Sequence, residues 1–269
     1  MSAISKILSD LRAIARVSGT PTALAFLRAL VVTAPEVLRS KNLNSADRLM
    51  SGRSWPFTVQ GVTVELGGRF FGGAREMYCR QVYFPTPNFF LSSGTTIMDL
   101  GANVGLFSIL GALAGCKVIA VEAQHGFVRQ LTDLASSYGL ATDIIVENAL
   151  VGSGTGMFSD AGSLATASHF EGVTPPIVSM TDLLARHRVD QLDFLKVDIE
   201  GSEFNLFQSS DQWLRQVRRI AMEVHTAFGS VSDLQGMIES QGMSVELRDS
   251  DLRVVSQVPP PGGYLFAKR

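Results

Sequence analysis

The chain of 269 residues has only two cysteines, Cys79 and Cys116. That excludes a disulfide framework and any Cys-x-x-Cys metal spacing. Charge is also scarce. Charged residues make up 18% and hydrophobic residues 46%, which leaves ample material for a core and argues against global disorder. Residues 1–20 lack an apolar segment after a basic start, so no secretory signal is expected. The longest apolar run near the N-terminus, residues 23–32, is interrupted by Arg28 and is too short to span a bilayer. The expectations are therefore no transmembrane segment and a reduced, cytoplasmic compartment. Internal repeats and low-complexity tracts are missing. So is a basic, aromatic-interleaved stacking platform, which leaves nucleic-acid binding unsupported.

A last absence concerns the glycine loop. Residues 95–109, TTIMDLGANVGLFSI, read as a buried strand, a glycine turn and a helix. A dinucleotide fingerprint starting at Gly101 needs glycine at 103 and 106, where the chain has Asn103 and Leu106. Asp99 also sits where a pyrophosphate would approach the helix N-terminus. A carboxylate suits a cofactor with a cationic amine better than a diphosphate. S-adenosylmethionine has an amine, a sulfonium and no phosphate. An NAD-dependent oxidoreductase is correspondingly disfavoured.

What is present is strand–helix alternation. Helical spacing over residues 3–50 is broken by SGTP (18–21), with Thr20 expected to cap the second helix. A strand with Gly-rich turns is expected over 51–73, centred on VTVEL. From 95 onward, strand patterns TTIMDLG, KVIAVEA, DIIVENAL, DFLKVDIE and RRIAMEV alternate with helices, one of them spanning 202–216. SVELRDS and GYLFAKR close the chain as two consecutive strands, with a Pro-rich bend at 259–261 between them. This order predicts a doubly wound α/β sheet of seven strands, mostly parallel, with an antiparallel C-terminal hairpin. The expected division is an N-terminal helical extension, 1–60, and a catalytic domain, 61–269. Residues 1–90 carry 11 Lys/Arg against 5 Asp/Glu, and the remainder 12 against 20. Such asymmetry hints at a separate task for the N-terminal part, which could face an anionic substrate or a membrane surface or form a lid or a homodimer contact through its helices; a solvated helix packing on the acidic main domain is the favoured expectation.

In a parallel sheet the carboxyl ends of the strands share one rim, where ligands bind. Asp99, Gly101, Asn103 and Gly105 lie there on the first strand and its loop. Glu122, with Ala123 beside it, ends the second strand about 20 residues beyond the loop, the place for a ribose diol. Glu147 and Asn148 end the third, placed to meet the adenine, although Asn148 could equally cap a turn. Lys196, Asp198, Glu200 and Glu203 cluster around the fourth, and Glu223 and His225 end the fifth. Alternation puts Asp198 and Glu200 on one face, and Glu223 and His225 on one face.

IMDLGANVGLFSI, VIAVEAQ, FLKVDIEGSE and AMEVH resemble, in order and spacing, the FkbM-type class I methyltransferases. The resemblance covers about residues 75–269. It implies a Rossmann-like fold, S-adenosylmethionine as donor, and O-methylation of a hydroxyl, often on a saccharide or secondary metabolite. It places Asp99, Gly101, Asn103, Gly105 and Glu122 around the cofactor, and Asp198, Glu200 and His225 at the reaction centre. His225 is the expected base by its unperturbed pKa; His125, His169 and His187 are the other histidines. A rival role is a divalent metal held by Asp198 or Glu200 with Glu223 and His225. The metal-free base is favoured, because hard-ion sites show more carboxylate and carbonyl ligands. The acceptor pocket is expected from the aromatic stretch 78–90 and the connection 151–177, with Ser163, Thr166 and Ser168 able to bind a hydroxylated small molecule.

Overall fold

The structure is a computed structural model and describes residues 3–151, 175–208 and 212–269. The chain divides into two compact units, Met1–Val82 and Tyr83–Arg269.

The first unit holds α1 (Ala3–Ser18), α2 (Thr20–Val32), α3 (Ala34–Ser40), α4 (Asn44–Leu49), an antiparallel hairpin of β1 (Ser54–Val59) and β2 (Val62–Gly67), and the short α5 (Phe71–Ala74). A single turn of π-helix, Arg75–Cys79, follows α5. The hairpin alternates buried and exposed residues, so Trp55, Phe57, Val59, Val64 and Leu66 turn inward. Phe57 and Phe71 pack with Phe26 and Tyr78 in one aromatic core. The charged exception is Arg75, which donates to both oxygens of Asp47 at 3.0 and 2.9 Å and to Asp10 at 2.9 Å. Thr20 does not cap α2 as expected. Gly19, at φ 88°, occupies the cap position, and Thr20 is already helical. The turn there needs a left-handed residue, which glycine adopts without cost to its side chain.

The second unit is built on one sheet of eight strands: β3 (Thr96–Leu100), β4 (Lys117–Glu122), β5 (Ile144–Asn148), β8 (Phe194–Val197), β9 (Arg219–His225), β10 (Ser244–Asp249), β11 (Val254–Val255) and β12 (Gly262–Lys268). A separate parallel pair, β6 (Leu150–Val151) and β7 (Ile177–Val178), lies beside it in sequence. The sheet order is β11-β10-β12-β9-β8-β3-β4-β5. The five strands β3, β4, β5, β8 and β9 are parallel, and β12, β10 and β11 add on antiparallel. The predicted mixed sheet is there with one strand more than expected. The extra strand, only two residues long, forms on the far side of β10 just before the prolines.

Helices α6 (Leu106–Leu113), α7 (His125–Ser137), α8 (Met180–Arg186), α9 (Glu203–Gln208) and α10 (Val231–Ser240) connect the strands. The expected helix over 202–216 is α9 followed, beyond 209–211, by a short 3₁₀ turn at Trp213–Gln216. One sheet face is aliphatic, with Met98, Leu100, Ile119, Val121, Leu195 and Met222 in a common core. The other carries Phe84, Phe107 and Phe194 in ring contact. The aromatic stretch expected to line an acceptor pocket is therefore largely core: Phe84 and Phe89 are buried and pack on Phe194. Residues 152–174, with Ser163, Thr166, Ser168 and His169, lie outside the described residues.

Candidate active site

The sheet order reverses at β3: β4 and β5 lie on one side, β8 and β9 on the other. Such a switch point opens a crevice at the carboxyl ends of the strands. The loop after β3 enters it at Gly101, whose N–H, with that of Ala102, donates to the Val121 carbonyl at 2.9 and 3.0 Å. From the other side, the Asp198 N–H donates to the Leu100 carbonyl at 3.0 Å. Gly101 has φ 73°, and a Cβ there would run into the Asp198 carbonyl. Both the left-handed backbone and the close approach require glycine. Asn103 is also left-handed, at φ 51°, a conformation that asparagine adopts more readily than most residues with a side chain.

Beneath this loop lies a buried charge pair. Asp99 is fully buried, and Lys196 is 2% exposed. The Lys196 ammonium lies 3.1 Å from Asp99 Oδ1 as an ion pair, 3.8 Å from Asp198, and donates to the Gly101 carbonyl at 2.7 Å. Ser108 on α6 donates to the second Asp99 oxygen at 2.7 Å. Burial works against the Lys196 charge, but Asp99 and Asp198 outweigh it and hold its pKa above the usual lysine value. The Asp99 carboxylate thus meets the loop through Lys196 and Ser108.

Glu122, 6% exposed, clasps the loop from the β4 side. One oxygen accepts the Asn103 N–H at 2.8 Å and the other the Gln124 N–H at 2.7 Å. Burial raises its pKa, opposed by those two N–H groups. Asn148 donates its amide to the carbonyls of Glu122 and Ala123, both at 2.9 Å, so it fixes the end of β4. Glu147 is paired with Arg186 and His187, which takes it and His187 out of the rim chemistry. His125 is exposed at the start of α7.

On the β8–β9 side the structure joins two groups. Tyr83, buried, donates to Asp198 Oδ2 at 2.9 Å and lies 3.4 Å from Glu223 Oε2. Burial and the two carboxylates hold its pKa well above the usual phenol value. The second group is centred on His225. Its Nδ1 lies 3.0 Å from Glu203 Oε1, which also accepts the His225 N–H at 2.8 Å, and its Nε2 lies 3.5 Å from Glu200. The fully buried Glu203 accepts the Gly201 N–H through its other oxygen at 2.8 Å. Burial opposes the imidazolium, yet the Glu203 hydrogen bond and the nearby charges of Glu203, Glu200 and Asp198 prevail and push its pKa up to about 9.

Alternation does not place Glu200, because β8 ends at Val197 and Glu200 has φ 53°. The turn at Gly201 brings it back. Ligand atoms of Asp198, Glu200 and His225 lie within 4.8 Å of one another, a set able to hold a cation, whereas Glu223 is turned toward Tyr83. Tyr83 was missed by sequence reasoning, since a tyrosine in an aromatic run carries no charge pattern. Glu203 was seen only as one acid of a cluster; its burial under His225 has no sequence signal beyond the spacing on a helix start.

A Gly-turn at the switch point of an open α/β sheet, with an acidic residue ending the next strand, defines a Rossmann-like enzyme for a nucleoside-bearing cofactor. The family model of the methyltransferase FkbM domain matches residues 99–245, and the chain belongs to that family. It is an S-adenosylmethionine-dependent methyltransferase. No curated protein matches the sequence. Among solved structures the chain is similar to the precorrin-6y C5,15-methyltransferase of Geobacter metallireducens (12% identity, 71% of this chain and 86% of that one, TM-score 0.42). It is likewise similar to an S-adenosylmethionine-dependent methyltransferase of Agrobacterium tumefaciens (13%, 80% and 70%, TM-score 0.42) and an rRNA methylase of Streptococcus thermophilus (11%, 66% and 89%, TM-score 0.40).

The rim fits the cofactor. Its donor set is acidic, with Glu122, Asp198 and Glu200, which suits an amine and a sulfonium. The glycine at 101 lets the loop close against the Asp198 carbonyl, which brings the β3 and β8 ends of the rim together. Glu122 would hold the ribose hydroxyls through the lone pairs its amide partners leave over.

Proposed function

We propose that the chain transfers a methyl group to a hydroxyl of a small, hydroxylated acceptor such as a saccharide, a polyketide or another secondary metabolite, working in the cytoplasm. The observation that carries this reading is the His225–Glu203 pair at the end of β9, 3.0 Å apart and beside Asp198. S-adenosylmethionine supplies an electrophilic methyl on sulfur. Methylation of a hydroxyl leaves one proton to remove, which a positioned base accelerates by roughly 10²–10⁴-fold. His225 is built for that. Glu203 holds Nδ1 and orients the ring, so Nε2 is the atom that takes the proton from the acceptor. Its raised pKa keeps the imidazole protonated near neutrality, so the free base forms as pH rises. Asp198, steadied by Tyr83, stands next to the acceptor side of the rim. Asp99 and Lys196 act from below by keeping the loop in place.

A second reading is supported by the 4.8 Å grouping of Asp198, Glu200 and His225. These three side chains would hold a divalent ion, which would supply Lewis-acid activation of the acceptor hydroxyl. Extracts of candidate metabolites incubated with enzyme and S-adenosylmethionine should yield a product heavier by one methylene, located on oxygen by fragmentation. Methyl found on nitrogen or carbon would refute the O-transfer. Turnover surviving exhaustive chelation removes the metal reading; turnover lost on chelation and restored by a divalent ion establishes it.

A further inference from the structure

Helix α2 is apolar around nearly its whole circumference. Thr22, Ala23, Phe26, Ala29 and Leu30 face the core of the first unit. On the opposite side Leu24, Leu27, Val31 and Val32 are 61%, 43%, 69% and 63% exposed. A surface helix of a globular protein ordinarily shows charged residues there. After a 75° bend, α3 buries none of its residues and carries Leu38 at 79% exposure. Among the described residues no single helix is long and apolar enough to cross a membrane, but α2 and α3 together meet the length and composition for a bent span. Two half-helices with one exposed apolar side are also what an interfacial, in-plane contact looks like.

The charges around this face are mostly basic; the exposed Glu36 on α3 is an exception and lies 4.0 Å from Arg48. Arg28 lies among the exposed leucines and valines of α2, and that helix has no acidic residue in its first turn. Arg39 and Lys41 follow Leu38, and both are exposed. A groove of about 510 Å³ adjoins the face, lined by Val32, Leu49 and Trp55 together with Arg28 and Arg53, whose guanidinium lies 3.8 Å over the Trp55 ring. The first unit as a whole has 11 Lys/Arg against 5 Asp/Glu.

We infer that the α2–α3 face docks on an anionic lipid surface. Such a surface offers both things this face lacks, hydrocarbon for Leu24, Leu27, Val31 and Leu38 and phosphate for the surrounding arginines. A second copy of the chain would instead set one positive unit against another.

The test is flotation of the full chain with phosphatidylcholine vesicles, with and without phosphatidylglycerol. Binding to the anionic vesicles alone, weakening as salt rises, is expected. Val31→Glu with Leu38→Glu should abolish it. Arg28→Ala with Arg39→Ala should weaken it by roughly fivefold per charge removed. All four positions are exposed, so thermal melting should match wild type. If the double glutamate variant misfolds, the arginine pair decides. The inference is overturned if anionic vesicles are not bound, if either double variant floats as well as wild type, or if light scattering shows a dimer that Val31→Glu and Leu38→Glu dissociate.

Discussion

Lys196 stands at the centre of the charge network, fully enclosed, with Asp99 at 3.1 Å and a loop carbonyl at 2.7 Å. Removing one member of such a pair strands the other charge in the interior, at a cost of about 3–5 kcal/mol. Lys196→Met should therefore lower stability by that amount in denaturant titration, and Asp99→Asn added to it should recover part of the loss. Equal stability of single and double variants would mean that the two charges are not coupled. His225 makes a different kind of prediction. Its pKa of about 9 exceeds the ordinary histidine value of 6.5. The imidazolium is thus favoured by folding: its contribution is fully present below about 6.5 and disappears as pH rises through 9. Wild type should outlast His225→Gln in thermal melts at pH 6 and converge with it near pH 10. Catalysis runs the other way. As the base form fills, kcat/KM should climb with pH toward an apparent pKa near 9, and His225→Ala should flatten the profile while lowering kcat by roughly 10²–10⁴-fold. An unchanged profile would exclude His225 as the base. Its residue type announced a titrating group; its shifted pKa comes from Glu203, buried beneath it by the fold.

The loop from Gly101 to Gly105 is the element in which sequence and site coincide most closely. Its glycines signalled a sharp turn, and the structure has φ of 73° and 88° at Gly101 and Gly105, with Asn103 between them also left-handed at 51°. Gly101→Ala adds roughly 1–3 kcal/mol of backbone strain, besides the collision with the Asp198 carbonyl. It should abolish S-adenosylhomocysteine binding in calorimetry while leaving circular dichroism largely native; retained affinity would show that the loop does not carry the cofactor. The strands were legible because buried parallel strands are short apolar runs with polar ends. Elements that failed to read cleanly were those set by neighbours. β11 exists because β10 offers it an edge, and Gly19 replaces Thr20 as the α2 cap because the preceding helix ends in a tight turn. Glu200 reaches His225 through a left-handed turn that two-residue alternation does not describe.

At the scale of the molecule, two compact units carry opposite net charge. S-adenosylhomocysteine at about 100 times its dissociation constant should stabilise by roughly 2.7 kcal/mol. For a unit the size of Tyr83–Arg269 that is a rise of roughly 5–10 °C in melting temperature. If calorimetry resolves two transitions, only the one from that unit should move; a shift confined to the other would contradict a cofactor site on the β3–β9 rim. The amino-acid sequence by itself determined the α/β sheet, its antiparallel ending and the cofactor loop. Hydrophobic periodicity and glycine placement are local properties, and the chain displays them in order. Only the tertiary structure decided which carboxylates are buried as partners of Lys196 and His225 and which remain open at the rim. It also decided which side of α2 is left uncovered. Burial and charge proximity depend on residues distant in sequence, so Asp99, Glu203, Tyr83 and Leu38 acquire their roles only when the chain is folded.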